Sequence, residues 1–244
     1  AMTNRRTHLL NELHLLPRWQ SRSCTHNQSG LPITTDIATD PINLSQNPIA
    51  TPCGSTPIPQ MDWAQLKQAV AQCTACPLHQ TRNRTVFGVG DEQANWLFIG
   101  EGPGAREDEL GEPFVGQAGK LLDQMLAAIQ LKRGEQVYIA NIVKCRPPNN
   151  RNPSPAEAHR CEPYLTRQIA LIKPKLIVAL GKVAAQNLLK RDDSISNLRG
   201  KIHDYSGTPL IVTYHPAYLL RALPEKAKAW QDLCFAKSFM QSLR

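Results

Sequence analysis

The sequence predicts an α/β protein: a four-stranded parallel sheet flanked by helices, preceded by a disordered N-terminal extension. Three observations carry this. Four short apolar runs, WLFIG (96–100), VYIAN (137–141), KLIVALG (175–181) and PLIVTYH (209–215), are rich in β-branched or aromatic residues and end at Gly, Asn or His. Stretches with helical spacing separate them. The runs are apolar at consecutive positions, as in strands covered on both faces.

The elements follow in order. Residues 1–24 form a leader in which Leu9, Leu10, Leu13, Leu15 and Leu16 make an apolar patch with Trp19, either a short docking helix or a frayed tail. Residues 25–60 hold six Pro, two Asp and no Lys or Arg, a composition too poor in apolar surface to fold, so a disordered linker is expected. The folded domain spans 61–244. Its first helix is DWAQLKQAVAQC, with Asp62 as N-cap. Further helices are expected at GKLLDQMLAAIQL (119–131), SPAEAHRCEPYLTRQIALI (154–172), KVAAQNLLKR (182–191) and about 225–242.

No apolar run approaches the ~20 residues that a membrane span requires, and the N-terminus lacks the apolar core of a secretory signal, so a soluble cytoplasmic protein is expected. The net charge is +8, of which residues 1–24 carry +3, 25–60 carry −2 and 61–244 the remaining +7. An excess of this size in the folded part suits a polyanion such as nucleic acid, and equally a basic enzyme whose charge aids solubility. Seven cysteines without a signal argue against a disulfide framework. Four of them stand out. Cys73 and Cys76 form a Cys-x2-Cys knuckle, and Cys145 and Cys161 bracket fifteen residues with three Arg, four Pro and three Asn, too irregular for a core helix or strand. Two thiolates from a knuckle and two distant ones suit zinc or an iron–sulfur cluster, and spacing does not choose between them.

Ligands of an open α/β sheet sit at the carboxyl ends of its strands. Glu101, Asn141 and His215 lie at three of those ends and are expected around one crevice. The loop GEGPGAREDELGEPFVGQAG (100–119) is glycine-rich, with Gly102 expected close to a ligand. It fits neither the dinucleotide fingerprint nor a P-loop. Phe114 in this loop is either a core anchor or a plate for a planar ligand. Asn141 offers a donor and an acceptor to a base edge, or caps its strand. Glu101 and Glu107 are the acidic candidates for ordering water or stabilising a cation.

These motifs, with NIVKCRPPNNRNP, HPAYLL and the two cysteine pairs in the same order, resemble the family 4 uracil-DNA glycosylases over roughly residues 62–243. The resemblance implies a [4Fe-4S] cluster on Cys73, Cys76, Cys145 and Cys161. It implies that Phe114 stacks on flipped uracil, Asn141 reads its edge, His215 lies near O2, and Glu101, Glu107 and Asn150 serve catalysis. One departure is Gly102, where the family more often has Ala. The Arg-Arg-Ile-His insertion of uracil-crosslinking relatives is absent, which favours turnover.

The expected chemistry is a monofunctional glycosylase in base excision repair, acting as a monomer on uracil in single- or double-stranded DNA and leaving an abasic site. Arg146, Arg151 and Arg160 are expected to face phosphates, the alternative being that they merely solvate their loop. Leu219 and Leu220 are either an apolar wedge, with Arg221 for the gap left in the stack, or ordinary helix core. The alternatives are a non-catalytic nucleic-acid-binding module with a structural metal, and a redox iron–sulfur protein.

Overall fold

The computed structural model describes residues 56–243. The expected leader (1–24) and all but the end of the expected linker lie outside them. The six strands are β1 (Val89–Gly90), β2 (Trp96–Gly100), β3 (Val137–Asn141), β4 (Leu176–Leu180), β5 (Ile202–Tyr205) and β6 (Thr208–Thr213). They form one sheet in the order β1-β3-β2-β4-β6-β5. The inner pairs β3-β2, β2-β4 and β4-β6 are parallel, and both edge strands are antiparallel.

The expected four parallel strands are therefore the interior of a six-stranded mixed sheet. The two edge strands carry little apolar signal. β5 alternates exposed and half-buried residues, and β1 is two residues long. Every residue of β2, β3 and β4 is buried.

The helices are α1 (Trp63–Ala71), α2 (Ala105–Leu110), α3 (Gln117–Ala128), α4 (Pro155–Ile172), α5 (Lys182–Leu189), α6 (Ile195–Leu198), α7 (Pro216–Leu219) and α8 (Lys226–Ser242). The pleat sends alternate strand residues to opposite sides. Leu97, Ile99, Ile177 and Ala179 meet α1, α4 and α5, while Trp96, Phe98, Val178 and Ile211 meet α3 and α8. Capping explains two helix starts: Asp62 with Gln65, and Ser154 with Glu157, each form a reciprocal capping box. Pro163 sits inside α4 without ending it.

The linker expected through residue 60 gives way to structure sooner. Ile58–Gln60 make a 3₁₀ turn, and Ile58 packs against the α1–α4 side of the core. Arg167 Nε on α4 donates to Met61 O at 2.6 Å, fastening this entry to the domain. Among the described residues no helix is long and apolar enough to cross a membrane.

Candidate active site

The carboxyl ends of β2, β3 and β6 open onto a cleft of about 450 Å³. Such a volume falls in the usual range for small-molecule sites, about 300–1,000 Å³. Glu101, Gly102, Glu107, Phe114, Asn141, Asn150, Arg151, His215 and Arg221 all line it. Of the residues expected to meet substrate or DNA, Arg146, Arg160 and Leu219 are not among those lining it, and Arg160 lies at a separate pocket.

Phe114 is buried and held from both sides of its loop. Glu107 Oε1 accepts from Val115 N at 2.9 Å and from Gly116 N at 3.0 Å. Arg133 donates to Pro113 O and Phe114 O at 2.9 and 2.8 Å, and pairs with Asp123 at 2.9 Å. Phe114 adopts φ 55°, left-handed and costly for a bulky residue, so this double clamp is what sustains it. Its ring centroid lies 5.5 Å from that of His215, tilted by 30°.

Two glycines make room. A Cβ on Gly100 would lie 2.6 Å from Phe114 Cζ and 2.5 Å from Asn141 Oδ1. One on Gly119 would lie 1.7 Å from Phe114 O. Gly119→Ala is therefore expected to displace the ring, at a cost of about 1–3 kcal/mol. A urea melt and an assay on uracil-containing DNA check it, and an unchanged midpoint and rate would remove this role.

Asn141 ends β3, opposite Gly100 in the register. It is 2% exposed, and its Oδ1 is one of two buried side-chain oxygens or nitrogens without a partner among the described residues. His215 caps α7: its Nδ1 accepts from Ala217 N at 3.1 Å. The proton of the neutral ring therefore sits on Nε2. Burial, and then the positive charge of Arg221, lower the pKa of His215 to about 4 against the pull of Glu107, so the ring is neutral at physiological pH. Burial raises the pKa of the Glu101 carboxyl above its ordinary value.

Asn150 also takes a left-handed conformation, φ 54°, and its Oδ1 accepts from Arg146 Nε at 2.7 Å. Arg146 thus orients Asn150 at the cleft edge. One expectation about DNA contacts is corrected, that of Leu219 as the wedge. Arg151 makes a two-pronged pair with Glu157 at 2.7 and 2.8 Å, which holds that carboxyl down to about 2 and fixes the guanidinium at the cleft wall. Leu219 is 1% exposed and sits in the core, because it closes the single turn of α7 on its inward side. Tyr218 and Leu220 are the exposed residues there, at 41% and 42%. Tyr218 stacks on Tyr214 at 5.3 Å, and Arg199 covers Tyr214 at 5.0 Å.

Cys73, Cys76, Cys145 and Cys161 line one small pocket beside Arg82, Lys144 and Arg160. All four are free thiols. Arg82 Nη1 lies 3.0 Å from Cys145 Sγ, and Lys144 N donates to Cys161 Sγ at 3.3 Å. Burial pushes Cys161 up to about 11 and raises Cys145, while Lys144 and Arg82 respectively pull them down. Among the described residues no three His, Cys, Asp or Glu side chains gather tightly enough for a single metal ion. A polynuclear cluster holds its cysteine sulfurs farther apart, each on its own iron. Four soft donors around one pocket, with the Arg82 guanidinium aimed at Cys145 and a backbone N–H at Cys161, fit such a group.

Sequence reasoning missed Arg133, Lys144 and Gln168. Burial pulls Lys144 down to about 8, with Cys161 and Cys145 opposing. Its only signal was a charge between two apolar neighbours in NIVKC. Arg133 lies in a turn and gave none.

Residues 87–234 match the family model described as the uracil DNA glycosylase superfamily. The chain is 48% identical over 159 residues to the type-4 uracil-DNA glycosylase of Archaeoglobus fulgidus, covering 62% of this chain and 79% of that one. It is 44% identical over 180 residues to that of Thermotoga maritima, covering 72% and 93%. To that of Pyrobaculum aerophilum it is 41% identical over 183 residues, covering 71% and 92%. On the extent of these matches, the chain belongs to the uracil DNA glycosylase superfamily, in its type-4 group.

Proposed function

We propose that this protein is a monofunctional uracil-DNA glycosylase: it takes uracil flipped out of DNA and hydrolyses its N-glycosidic bond, leaving an abasic site for repair. The observation that carries this reading is the buried, unpartnered Oδ1 of Asn141 beside the Phe114 ring. An orphaned acceptor in a cleft calls for a ligand that donates, since leaving it unpaired costs about 1–3 kcal/mol. Uracil offers N3–H to that oxygen and O4 to the amide N–H. Cytosine presents the reverse pattern and leaves both groups mispaired.

Flipping costs a few kcal/mol, least at a mismatch or in a single strand. Stacking on Phe114 returns roughly 1–3 kcal/mol. Bond cleavage leaves a sugar cation and a uracil anion. The neutral His215 donates Nε2–H to the anion. Glu101, at the end of β2, stabilises the cation or holds the attacking water. Glu107 acts through the loop it clamps. The exposed Tyr218 and Leu220, with Arg221, fill the gap in the stack, the part expected of Leu219.

Cys73, Cys76, Cys145 and Cys161 would hold a [4Fe-4S] cluster. When bound, it anchors the irregular segment 145–154 to the start of α4 by metal–thiolate bonds where hydrophobic burial is scarce. That segment carries Asn150 and Arg146 to the cleft edge.

The test is a labelled oligonucleotide containing one uracil, incubated with iron-loaded protein and then treated with alkali. Cleavage at the uracil position, dependent on alkali, is expected. An intact strand would remove the reading, and cleavage without alkali would show a lyase instead. A brown preparation is expected; a colourless active one would place zinc or no metal at the thiols.

A further inference from the structure

We propose that Lys144 is a positioning residue that ties the four-cysteine centre to the base-reading amide of Asn141. This rests on the glycosylase reading above and adds to it the part that sets Asn141 in place.

Lys144 is 1% exposed, one of the largest fully buried side chains. Its Nζ donates to Asn141 O at 3.0 Å and to Gln168 Oε1 at 2.6 Å. Gln168 is itself fully buried on α4 and donates from Nε2 to Phe87 O at 3.0 Å. The backbone of Lys144 is engaged as well: its N–H donates to Cys161 Sγ, and its carbonyl accepts from Val86 N at 2.7 Å. One residue therefore joins the end of β3, helix α4, the segment entering β1 and a cysteine of the proposed cluster.

Burying an ammonium is costly, and a methionine would fill similar space without that cost. What methionine lacks is a set of directed donors that hold two acceptors in a fixed relation. One acceptor is the carbonyl of Asn141, the residue whose side-chain oxygen is left unpaired in the cleft. Clamping that carbonyl fixes the peptide from which the side chain departs. Recognition by such a group demands placement within about 0.5 Å. The remaining anchors, Gln168 and Cys161, lie on α4, so the thiol pocket and the amide move as one body.

The test compares iron-loaded wild type with Lys144→Met. Free uracil serves as the probe for base recognition and abasic-site DNA as the probe for strand binding. The variant is expected to keep its iron per chain and its affinity for abasic DNA. Its kcat/KM for uracil release is expected to fall about 10- to 100-fold, with a parallel weakening of inhibition by free uracil. Unchanged uracil inhibition with a lowered Tm would mean a lysine that merely supports the core, and overturns the proposal. Loss of iron in step with uracil inhibition would mean that Lys144 serves the thiols alone, and overturns it as well. If Lys144→Met does not fold, Gln168→Met removes one anchor and is expected to weaken uracil inhibition in the same direction with iron retained; unchanged inhibition there also overturns it. A wild-type protein that neither releases uracil nor is inhibited by it overturns the glycosylase reading first, and this inference with it, before any variant is compared.

Discussion

Asn141→Leu is expected to abolish uracil excision while leaving the fold as stable as before or more so. Leucine matches asparagine closely in shape, so the packing against Gly100 and Phe114 survives. The orphaned Oδ1 disappears, removing a penalty of about 1–3 kcal/mol that the free protein carries wherever water does not satisfy that oxygen. Uracil meanwhile loses both of its edge contacts. A site built on hydrogen bonds loses roughly 10³-fold or more in kcat/KM when they are absent. The measurements are alkali-revealed strand cleavage and a thermal melt. A leucine variant that still excises uracil within tenfold of wild type would show that Asn141 does not read the base. A melting temperature lowered by many degrees would show that its amide serves the fold instead.

The second large effect is at His215. His215→Ala is expected to lower kcat by roughly 10²–10³-fold, the scale of losing one preorganised donor to a developing anion. Affinity for uracil-containing DNA should change little, because that donor matters most once the bond is breaking. The wild-type pH profile discriminates further. His215 titrates near 4 in the fold, lowered chiefly by burial, against about 6.5 in an unfolded chain. Its contribution to activity should be flat through pH 6.5 and fall only toward pH 4. Its contribution to stability follows the same sign. The folded protein resists protonation, so that contribution is complete above pH 6.5 and is lost as pH falls from 6.5 to 4. The alanine variant should lack this part of the acid sensitivity. An activity limb centred near 6.5 and assigned to His215 would contradict a neutral, Nδ1-accepting ring.

How much of this was legible in the sequence differs by element. The four inner strands were readable because each is buried on both faces and so is apolar throughout. Helix α4 was readable despite Pro163, since its apolar spacing runs for eighteen residues. The edge strands were not, because an edge strand can be short, polar or half-exposed and still pair. Glu101, Asn141 and His215 were legible because strand ends in such a sheet converge on one crevice, whereas the part of Phe114, in a loop, came from the family resemblance. Wedge and core stayed open for Leu219 and Leu220 because HPAYLL shows apolar character but not the direction of a single helical turn, which buries the first and exposes the second. The pairing of Arg151 with Glu157 was not legible, because Glu157 already has a part in the capping box with Ser154.

The sequence by itself determined the class of fold, the residues at the mouth of the sheet and the four thiols, because periodicity, strand ends and cysteine spacing are local properties. Only the tertiary structure decided which of these groups are paired and which are left open. It matched Arg151 to Glu157, buried Leu219, drove Lys144 into the core beneath Asn141, and left one amide oxygen without a partner. Those outcomes depend on contacts between segments far apart in the chain, and such contacts set burial, hydrogen bonding and charge.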